Sequence, residues 1–365
     1  MSIFTQPWRL VQNRIRGQGG REIDKLRGVA SPVDDSTGSE AWIGSVTRVE
    51  NPPADKPNYG CSEVILPDGT RMFLFDAVSL SPYEVLGKKH TDISGEGLGV
   101  LIKYLDAQRK YGLQCHPTRS WAAEMWDSPY GKEECWYVIG VRDDADEPPY
   151  VLLGFKEGVT REIWEEYYWR ADIEGLENLC HKIEVKPGDA FFVGAGCPHS
   201  LGAGCFVVEL QEPCDITLGA LPFHELKKVW KSYPETDEDR HNIRLLGSYE
   251  YKGLSYEDNL DHWMAKRKLI REGDWGKEEI IIGPDHTTFF SLTEAKITGE
   301  TDIRNTGFPQ ISVILAGSGS IKYDAGEMII TKGDEIFLPY NIPGAKITGD
   351  NLLILLCHPE GAVHI

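Results

Sequence analysis

Four side chains between residues 114 and 199 have the types and the spacing of a divalent-metal site. Gln114 and His116 lie two positions apart in a β-prone run, so a strand there would project both from one face. Glu134 begins the next such run, and His199 follows a Gly-containing corner after another. In a closed β-barrel these four residues can converge inside the cavity. They would offer a metal two imidazoles, one carboxylate and one amide oxygen, with a coordination position left open for water or substrate. That is the pattern of a catalytic divalent ion such as zinc.

The donor set leaves the metal and the chemistry open. A mixture of imidazole, carboxylate and amide ligands suits zinc, iron, manganese and cobalt. Two histidines and a glutamate also form the facial triad of iron-dependent oxygenases. Gln114 argues against an oxygenase, because a fourth protein ligand would occupy a position that oxygen chemistry needs open. A single buried histidine is more often a hydrogen-bonded core residue than a ligand, so the prediction depends on the combined pattern.

Two lysines accompany the candidate ligands. Lys132 precedes Glu134 by two residues and shares its strand face if the backbone there is extended. Lys103 alternates with Leu101 and Leu105, which places it on the apolar face of its run and argues against an ordinary solvated lysine.

The elements that must position these residues are short β-prone runs broken by Gly and Pro turns, a pattern typical of a β-sandwich or barrel. In the first half of the chain these runs cover residues 101–106, 111–116, 135–140, 150–155, 181–185, 190–193 and 205–210. A helix is predicted over about residues 161–171, where Thr160 can cap its first turn. Residues 222–275 are charged, contain helix-like stretches and are predicted to form a linking segment.

A second series of β-prone runs follows and repeats a feature of the first. Residues 332–343 and 186–198 each contain Lys, then Gly-Asp, then a β-prone run and a corner with Gly or Pro. The repeat indicates a second copy of one barrel architecture. Ala345 and Lys346 stand where the first copy has His199, so the second copy should bind no metal. We therefore predict a metal-binding domain, a helical linking segment and a metal-free domain at residues 1–220, 221–275 and 276–365.

Composition and charge limit the function classes. Lysine and arginine number 38 against 57 acidic residues, which gives a formal net charge of −19. A surface that negative repels nucleic acid and anionic lipid, and a phosphate-bearing substrate would need local cations. No apolar run approaches the roughly 18 residues that a membrane span requires, and the N-terminus lacks a signal-peptide pattern. The 8 cysteines include no CxxC pair and are expected to be reduced, as in the cytoplasm.

Several of these runs, in this order, resemble the signature segments of the class I mannose-6-phosphate isomerases. Gln114–Pro117 is similar to the QxHP signature of that family, and Lys132–Tyr137 to its KxExWY segment. Gly188–Leu201 is similar to its GDxFFxPAGxxHAL segment. Gly38–Trp42 resembles its GExW block, and Leu101–Asp106 the strand before QxHP. The similarity extends over most of the chain and is weaker after residue 220.

The resemblance implies a mainly β fold of two cupin (jelly-roll β-barrel) domains joined by a helical segment. The family interconverts mannose 6-phosphate and fructose 6-phosphate by moving a proton between C1 and C2 through a cis-enediol. By resemblance, zinc or another divalent metal would be held by Gln114, His116, Glu134 and His199. Four further residues match the family's active site: Lys103, Lys132, Glu209 and Asp215. The two lysines match cavity positions, with Lys132 as the polarising or proton-relay group, and the two carboxylates are candidates for orienting or base roles.

Two positions depart from the family pattern. Gly219 stands where the family's E-x-Q-x-x-S-D-x-T-x-R run has its arginine, and Gln18 stands where an early tryptophan falls. Loss of that guanidinium can remove several kcal/mol of transition-state stabilisation unless Lys103, Lys132, Arg119 or a cation of the 222–275 segment compensates. Otherwise the protein would isomerise or epimerise a different, unphosphorylated sugar, or bind sugar without catalysis.

Overall fold

Short antiparallel strands make up most of the regular structure, as the lengths of the β-prone runs predict. The computed structural model describes residues 2–30, 35, 38–50, 52–231, 233 and 235–362. Within this part of the chain no helix has both the length and the apolar character that crossing a membrane requires.

The N-terminal quarter alternates short strands with short helices. The strands are β1 (Trp8–Leu10), β2 (Glu40–Ile43), β3 (Glu63–Ile65) and β4 (Arg71–Phe73). The helices are α1 (Arg21–Leu26), α2 (Leu74–Leu80), α3 (Pro82–Val85) and α4 (Lys88–Ser94), preceded by a 3₁₀ turn at Ile3–Thr5.

The middle of the chain supplies the strands around the candidate ligands. They are β5 (Leu101–Asp106), β6 (Gln114–Cys115), β7 (Glu134–Val141), β8 (Tyr150–Phe155), β9 (Cys180–Glu184), β10 (Ala190–Val193), β11 (His199–Leu201), β12 (Cys205–Gln211) and β13 (Leu218–Gly219). Between them lie α5 (Arg119–Trp126), α6 (Arg161–Trp169) and α7 (Ile173–Asn178). The Thr160 hydroxyl accepts a hydrogen bond from the Ile163 amide at the start of α6, which confirms the predicted cap.

The rest of the chain contains helices and then strands. The helices are α8 (Phe223–Val229), α9 (Glu238–Ser248) and α10 (Tyr256–Trp263). The strands are β14 (Lys268–Gly273), β15 (Gly276–Ile282), β16 (Phe290–Ile297), β17 (Glu300–Asp302), β18 (Gln310–Tyr323), β19 (Gly326–Thr331), β20 (Glu335–Leu338) and β21 (Lys346–Pro359).

Two five-stranded antiparallel sheets face each other and form what we call the barrel. Their strand orders are β10-β7-β12-β5-β2 and β13-β6-β11-β8-β9. Buried residues of both sheets meet in one core, for example Trp136 and Phe191 of the first sheet with Leu153 and Ile183 of the second. The candidate metal ligands therefore come from strands on both sides of one closed interior.

The period of two along each strand decides which polar residues face that interior. Val207 of β12 belongs to the barrel core, so Glu209 lies on the same face. Leu105 of β5 also belongs to this core, which puts Lys103 on the inner face. Glu134 reaches the interior in the same way from β7. The opposite face of this sheet packs against a second, longer sheet.

The longer sheet combines strands from both ends of the chain. Its order is β14-β15-β16-β21-β18-β20-β1-β3-β4, with β17 paired to β21 and β19 to β18. Trp8 of β1 lies opposite Phe337 of β20. Glu335, the first residue of β20, also forms a buried ion pair with Arg27 at 2.6 Å. The N-terminal strands thus pair and pack with the C-terminal ones, and one sheet contains strands from both ends of the chain.

Candidate metal centre and its cavity

Two strand residues, Glu134 and His199, and His116 directly after β6 bring possible metal-ligand atoms together. The Nε2 atoms of His116 and His199 lie 3.1 Å apart. Glu134 completes the triangle, with Oε2 at 3.3 Å from Nε2 of His116 and Oε1 at 3.4 Å from Nε2 of His199. All three side chains are buried. Among the described residues these form the one group of three or more His, Cys, Asp or Glu side chains whose ligand atoms converge this closely.

The triangle fits a small divalent ion. Tetrahedral ligands bound at about 2.0–2.1 Å are separated from each other by about 3.3 Å, close to the three distances in this site. Both carboxylate oxygens of Glu134 are buried and have no hydrogen-bond partner among the described residues. Nζ of Lys132 lies 3.5 Å from Oε2, a weak ion pair that leaves the buried carboxylate without a hydrogen bond, which is costly. A cation between the three donors would compensate for it.

A hydrogen bond orients His199, and both histidines have lowered pKa values. The Nδ1 atom of His199 lies 2.9 Å from the carbonyl oxygen of Cys197 and donates to it, which leaves the Nε2 lone pair facing the centre. Burial lowers the pKa of both imidazoles, and the ammonium group of Lys132 lowers that of His116 further. The two rings are therefore neutral at pH 7, the state that binds metal.

Strand pairing explains why residues so far apart in sequence meet. His199 of β11 pairs with Gln114 of β6 on one side and with Leu153 of β8 on the other. Glu134 comes from the facing sheet, where it pairs with Val193 and Gln211. The predicted run 111–116 is a strand only at β6, and His116 follows that strand directly.

Gln114 stands beside this group as a possible fourth ligand. Its side-chain amide lies 3.2 Å from Nε2 of His199. Rotation of the amide by half a turn presents its oxygen at the same place. The two residues predicted to share a strand face, Gln114 and His116, therefore do approach a common centre.

A cavity of about 520 Å³ opens beside the metal centre. Its wall includes Gln114 and Lys132 next to the triangle, and Trp136 and Glu209 from the first sheet. Other parts of the wall come from the N-terminal segment, from the loop between β5 and β6, and from Trp230. The cavity thus borders the centre through Gln114 and Lys132, while His116, Glu134 and His199 stay buried and do not line it.

Both candidate lysines lie inside the barrel and line this cavity. The ammonium group of Lys103 binds Glu209 at 2.7 Å and donates to Gln211 at 2.5 Å. Burial opposes the charged form of Lys103, but the carboxylates of Glu209, Glu40 and Asp215 outweigh it and raise its pKa. Nζ of Lys132 lies 3.0 Å from Nε2 of His116. Contacts with named partners therefore hold both lysine side chains at the wall of the cavity.

The two predicted carboxylates occupy different environments. Glu209 lines the cavity, and its Oε1 lies 3.4 Å from Nε1 of Trp136. Asp215 is absent from the cavity wall and accepts two hydrogen bonds from Arg16, at 2.7 and 2.9 Å. Burial favours its neutral form, but Arg16 outweighs burial and holds the pKa of Asp215 below its ordinary value. Asp215 is therefore placed to orient Arg16.

Packing explains the glycine that replaces the family arginine. A Cβ atom on Gly219 would lie 2.8 Å from Cδ1 of Leu226, a residue of α8. A side chain at position 219 would therefore require Leu226 to move. Arg119 does not line the cavity, since it binds Glu212 and Glu360 and stacks 3.5 Å from the centre of the Phe289 ring.

Sequence reasoning missed several residues of the cavity wall, among them Arg16, Glu40 and Arg109. Glu40 lies within the GExW-like block, so the resemblance contained a signal for it. Arg16 carried no signal, because its position depends on its ion pairs with Glu40 and Asp215. Gln18 lines the cavity as well.

Comparison with known proteins finds relatives over most of this chain. The family described as "Mannose-6-phosphate isomerase, cupin domain" matches residues 283–358. The mannose-6-phosphate isomerase of Streptococcus mutans is 27% identical over 285 residues, which cover 76% of this chain and 80% of that protein. Mannose-6-phosphate isomerase ManA of Bacillus subtilis is 25% identical over 264 residues, 70% of this chain and 74% of that protein.

The resemblance to class I mannose-6-phosphate isomerases is confirmed. Solved structures agree on the fold. The mannose 6-phosphate isomerase of Bacillus subtilis superposes with a TM-score of 0.73 at 22% identity, over 96% of this chain and 99% of that one. A zinc-bound mannose 6-phosphate isomerase superposes with a TM-score of 0.73 at 15% identity, over 97% and 99%. The chain thus has a mainly β fold that contains a cupin domain, as the resemblance implies.

Proposed function

We propose that the protein is a metal-dependent aldose–ketose isomerase that interconverts mannose 6-phosphate and fructose 6-phosphate. The observation that carries the proposal is the triangle of His116, Glu134 and His199 beside a 520 Å³ cavity bordered by buried lysines. A volume between about 300 and 1,000 Å³ is typical of small-molecule sites. The relatives named mannose-6-phosphate isomerase support this substrate.

In this proposal the ion is zinc, as in the zinc-bound relative, although another divalent metal would suit the same donors. His116, Glu134 and His199 hold it, and Gln114 adds its amide oxygen as the fourth ligand. When bound, zinc supplies a Lewis acid that polarises a substrate oxygen.

The remaining chemistry belongs to groups of the chain itself. A base removes the proton from C2 of the open-chain aldose, and the electron pair moves to form the enediol while negative charge collects on O1. Transfer of the O2 hydroxyl proton to O1 and return of the first proton to C1 then leave the carbonyl at C2, which gives the ketose. Lys103 and Lys132 stabilise the developing charge, because their ammonium groups are held in place before the reaction starts.

Glu209 is the better supported base of the two candidate carboxylates. Both carboxylates have cationic partners, Lys103 for Glu209 and Arg16 for Asp215, but only Glu209 borders the cavity. Asp215 acts through Arg16 as a positioning residue. Lys132 is the polarising or proton-relay group beside the metal.

A second candidate function follows from the packing at Gly219. Gly219 packs against Leu226, so the chain lacks at this position the guanidinium that the family's sequence pattern contains. An isomerase or epimerase of an unphosphorylated sugar, or a sugar-binding protein without turnover, would need that cation less.

The organisation of the chain completes the proposal. In this organisation a metal-binding cupin domain covers residues 1–220, a helical linking segment 221–275 and a metal-free cupin domain 276–365. Strands β1, β3, β4 and β14 cross these bounds, because they belong to the sheet of the third part. The protein acts on a small molecule in the cytoplasm and binds neither nucleic acid nor membranes. All 8 cysteines are buried and free, which supports a reducing compartment.

A coupled assay of the zinc-loaded protein with mannose 6-phosphate tests the function, with free mannose and other aldose phosphates run beside it. We expect turnover at about 1–10³ per second that a chelator abolishes and zinc restores. Turnover only with an unphosphorylated sugar would replace this function with the second candidate. Sugar binding without any turnover would identify a non-catalytic protein.

A further inference from the structure

Most of the cations that line the cavity are already paired with carboxylates. Arg16 binds Asp215 and Glu40. Lys103 binds Glu209, and Lys132 lies 3.5 Å from Glu134. These ion pairs neutralise much of the positive charge near the metal centre. They leave little to attract an anionic group of a ligand.

Arg109 is different. It lines the cavity and is exposed, and in the described part of the chain its guanidinium has no ion-pair or hydrogen-bond partner. Its neighbour Lys110 also lines the cavity, but the ammonium group of Lys110 binds both carboxylate oxygens of Glu177, at 2.5 and 2.7 Å. Of the two adjacent cations, only Arg109 has its full hydrogen-bonding capacity available.

The loop that carries Arg109 is held on both sides. The Ala107 amide donates to the carbonyl of Cys205 at 2.9 Å, and the Tyr111 amide to the carbonyl of Leu201 at 2.9 Å. The Ser200 hydroxyl donates to the Tyr111 carbonyl at 2.7 Å. Residues 108–110 form the tip between these anchors. The backbone therefore keeps Arg109 at the cavity wall, close in sequence to Gln114 of the metal centre.

We propose that Arg109 binds the phosphate group of the substrate. The inference rests on the proposed function, in which the ligand carries a phosphate with a charge of about −1.5 to −2 at pH 7. A protein of net charge −19 repels such a ligand at long range, so a local unpaired cation is needed. The planar guanidinium can donate two parallel hydrogen bonds to phosphate, which an ammonium group cannot.

Steady-state kinetics of the zinc-loaded protein test this role with three variants. Arg109→Gln should raise KM for mannose 6-phosphate by about 10- to 100-fold, the loss typical of a charge-assisted hydrogen bond, while kcat changes little. Arg109→Lys should recover only part of this loss. Lys110→Gln removes one positive charge from the same loop and should change KM less than about twofold, since that charge is already paired.

Inorganic phosphate provides a second measurement that does not depend on turnover. Calorimetry should give about tenfold weaker binding of phosphate by zinc-loaded Arg109→Gln than by the wild-type protein. Equal KM values and equal phosphate affinities in these two proteins would overturn the assignment. An equal effect of Lys110→Gln would also overturn it, because the effect would then come from overall charge. If wild-type protein binds phosphate through Arg109 but does not isomerise mannose 6-phosphate, the proposed function fails and the anion site stands.

Discussion

Replacement of His199 by alanine tests the metal centre most directly. The imidazole is fully buried, contacts His116 and Trp136 with ring centres at 4.6 and 5.5 Å, and supplies one of the three converging ligand atoms. The variant should lose metal and activity together. The buried residue His90 offers a matched control, because it is equally buried and its Nε2 lies 2.7 Å from the Gly97 carbonyl, outside the metal centre.

The size of the effect follows from linkage between metal binding and folding. A metal that binds only the folded protein adds RT ln(1 + [metal]/Kd), about 4.1 kcal/mol at 1,000 times Kd. Loss of a ligand should weaken binding at least as much as loss of a group that orients a ligand, about 100-fold. At the same free zinc concentration His199→Ala would then gain only about 1.4 kcal/mol. Zinc should therefore stabilise the variant by about 2.7 kcal/mol less than it stabilises the wild-type protein.

The assay combines metal analysis after dialysis against buffered zinc with urea unfolding, with and without zinc. His90→Ala should lose stability from its cavity but keep its metal and the full stabilisation by zinc. The reasoning would be refuted by full metal occupancy in His199→Ala, or by a zinc-dependent stabilisation equal to that of the wild-type protein.

Three further predictions concern the groups around the centre. Lys103→Met should lower kcat about 10²–10³-fold. It should also reduce the free energy of unfolding by about 3–5 kcal/mol, because Glu209 would stay buried without its cation. A normal kcat would contradict the role of Lys103. The pKa of Asp215 in the folded protein lies below the ordinary value of an aspartate. Its ion pair with Arg16 therefore stabilises the protein above about pH 4, and this stabilisation is lost as the pH falls through the folded pKa. In metal-free Asp215→Asn, the free energy of unfolding should fall less steeply between about pH 5 and pH 2 than in the wild-type protein. Urea unfolding at several pH values measures this, and an equal pH dependence in the two proteins would exclude the contribution. Gly219→Arg should destabilise the protein by about 1–3 kcal/mol through the clash with Leu226 and should not raise kcat/KM, so a stable and more active variant would argue against the packing explanation.

Local sequence features predicted the parts of this protein that depend on neighbouring residues. The runs 101–106, 150–155 and 190–193 are strands with those bounds, because alternating or continuous apolar side chains suit a pleated, buried surface. The period of two also predicted that Lys103 shares a face with Leu105. The spacing of Gln114 and His116, together with Glu134 and His199, indicated a metal centre before any strand pairing was known.

What the tertiary structure decided is the state of each charged group. Asp215 was a candidate base in the sequence, and only its contacts reveal an ion pair with Arg16. Gly219 marked a missing arginine, and only the packing of Leu226 from α8 explains the absence. Arg109 and Lys110 are adjacent cations that no sequence rule separates, yet Glu177 pairs with one and not with the other. Such differences arise between residues far apart in the chain, since the strength of an electrostatic contact depends on distance and burial, which strand pairing and packing fix.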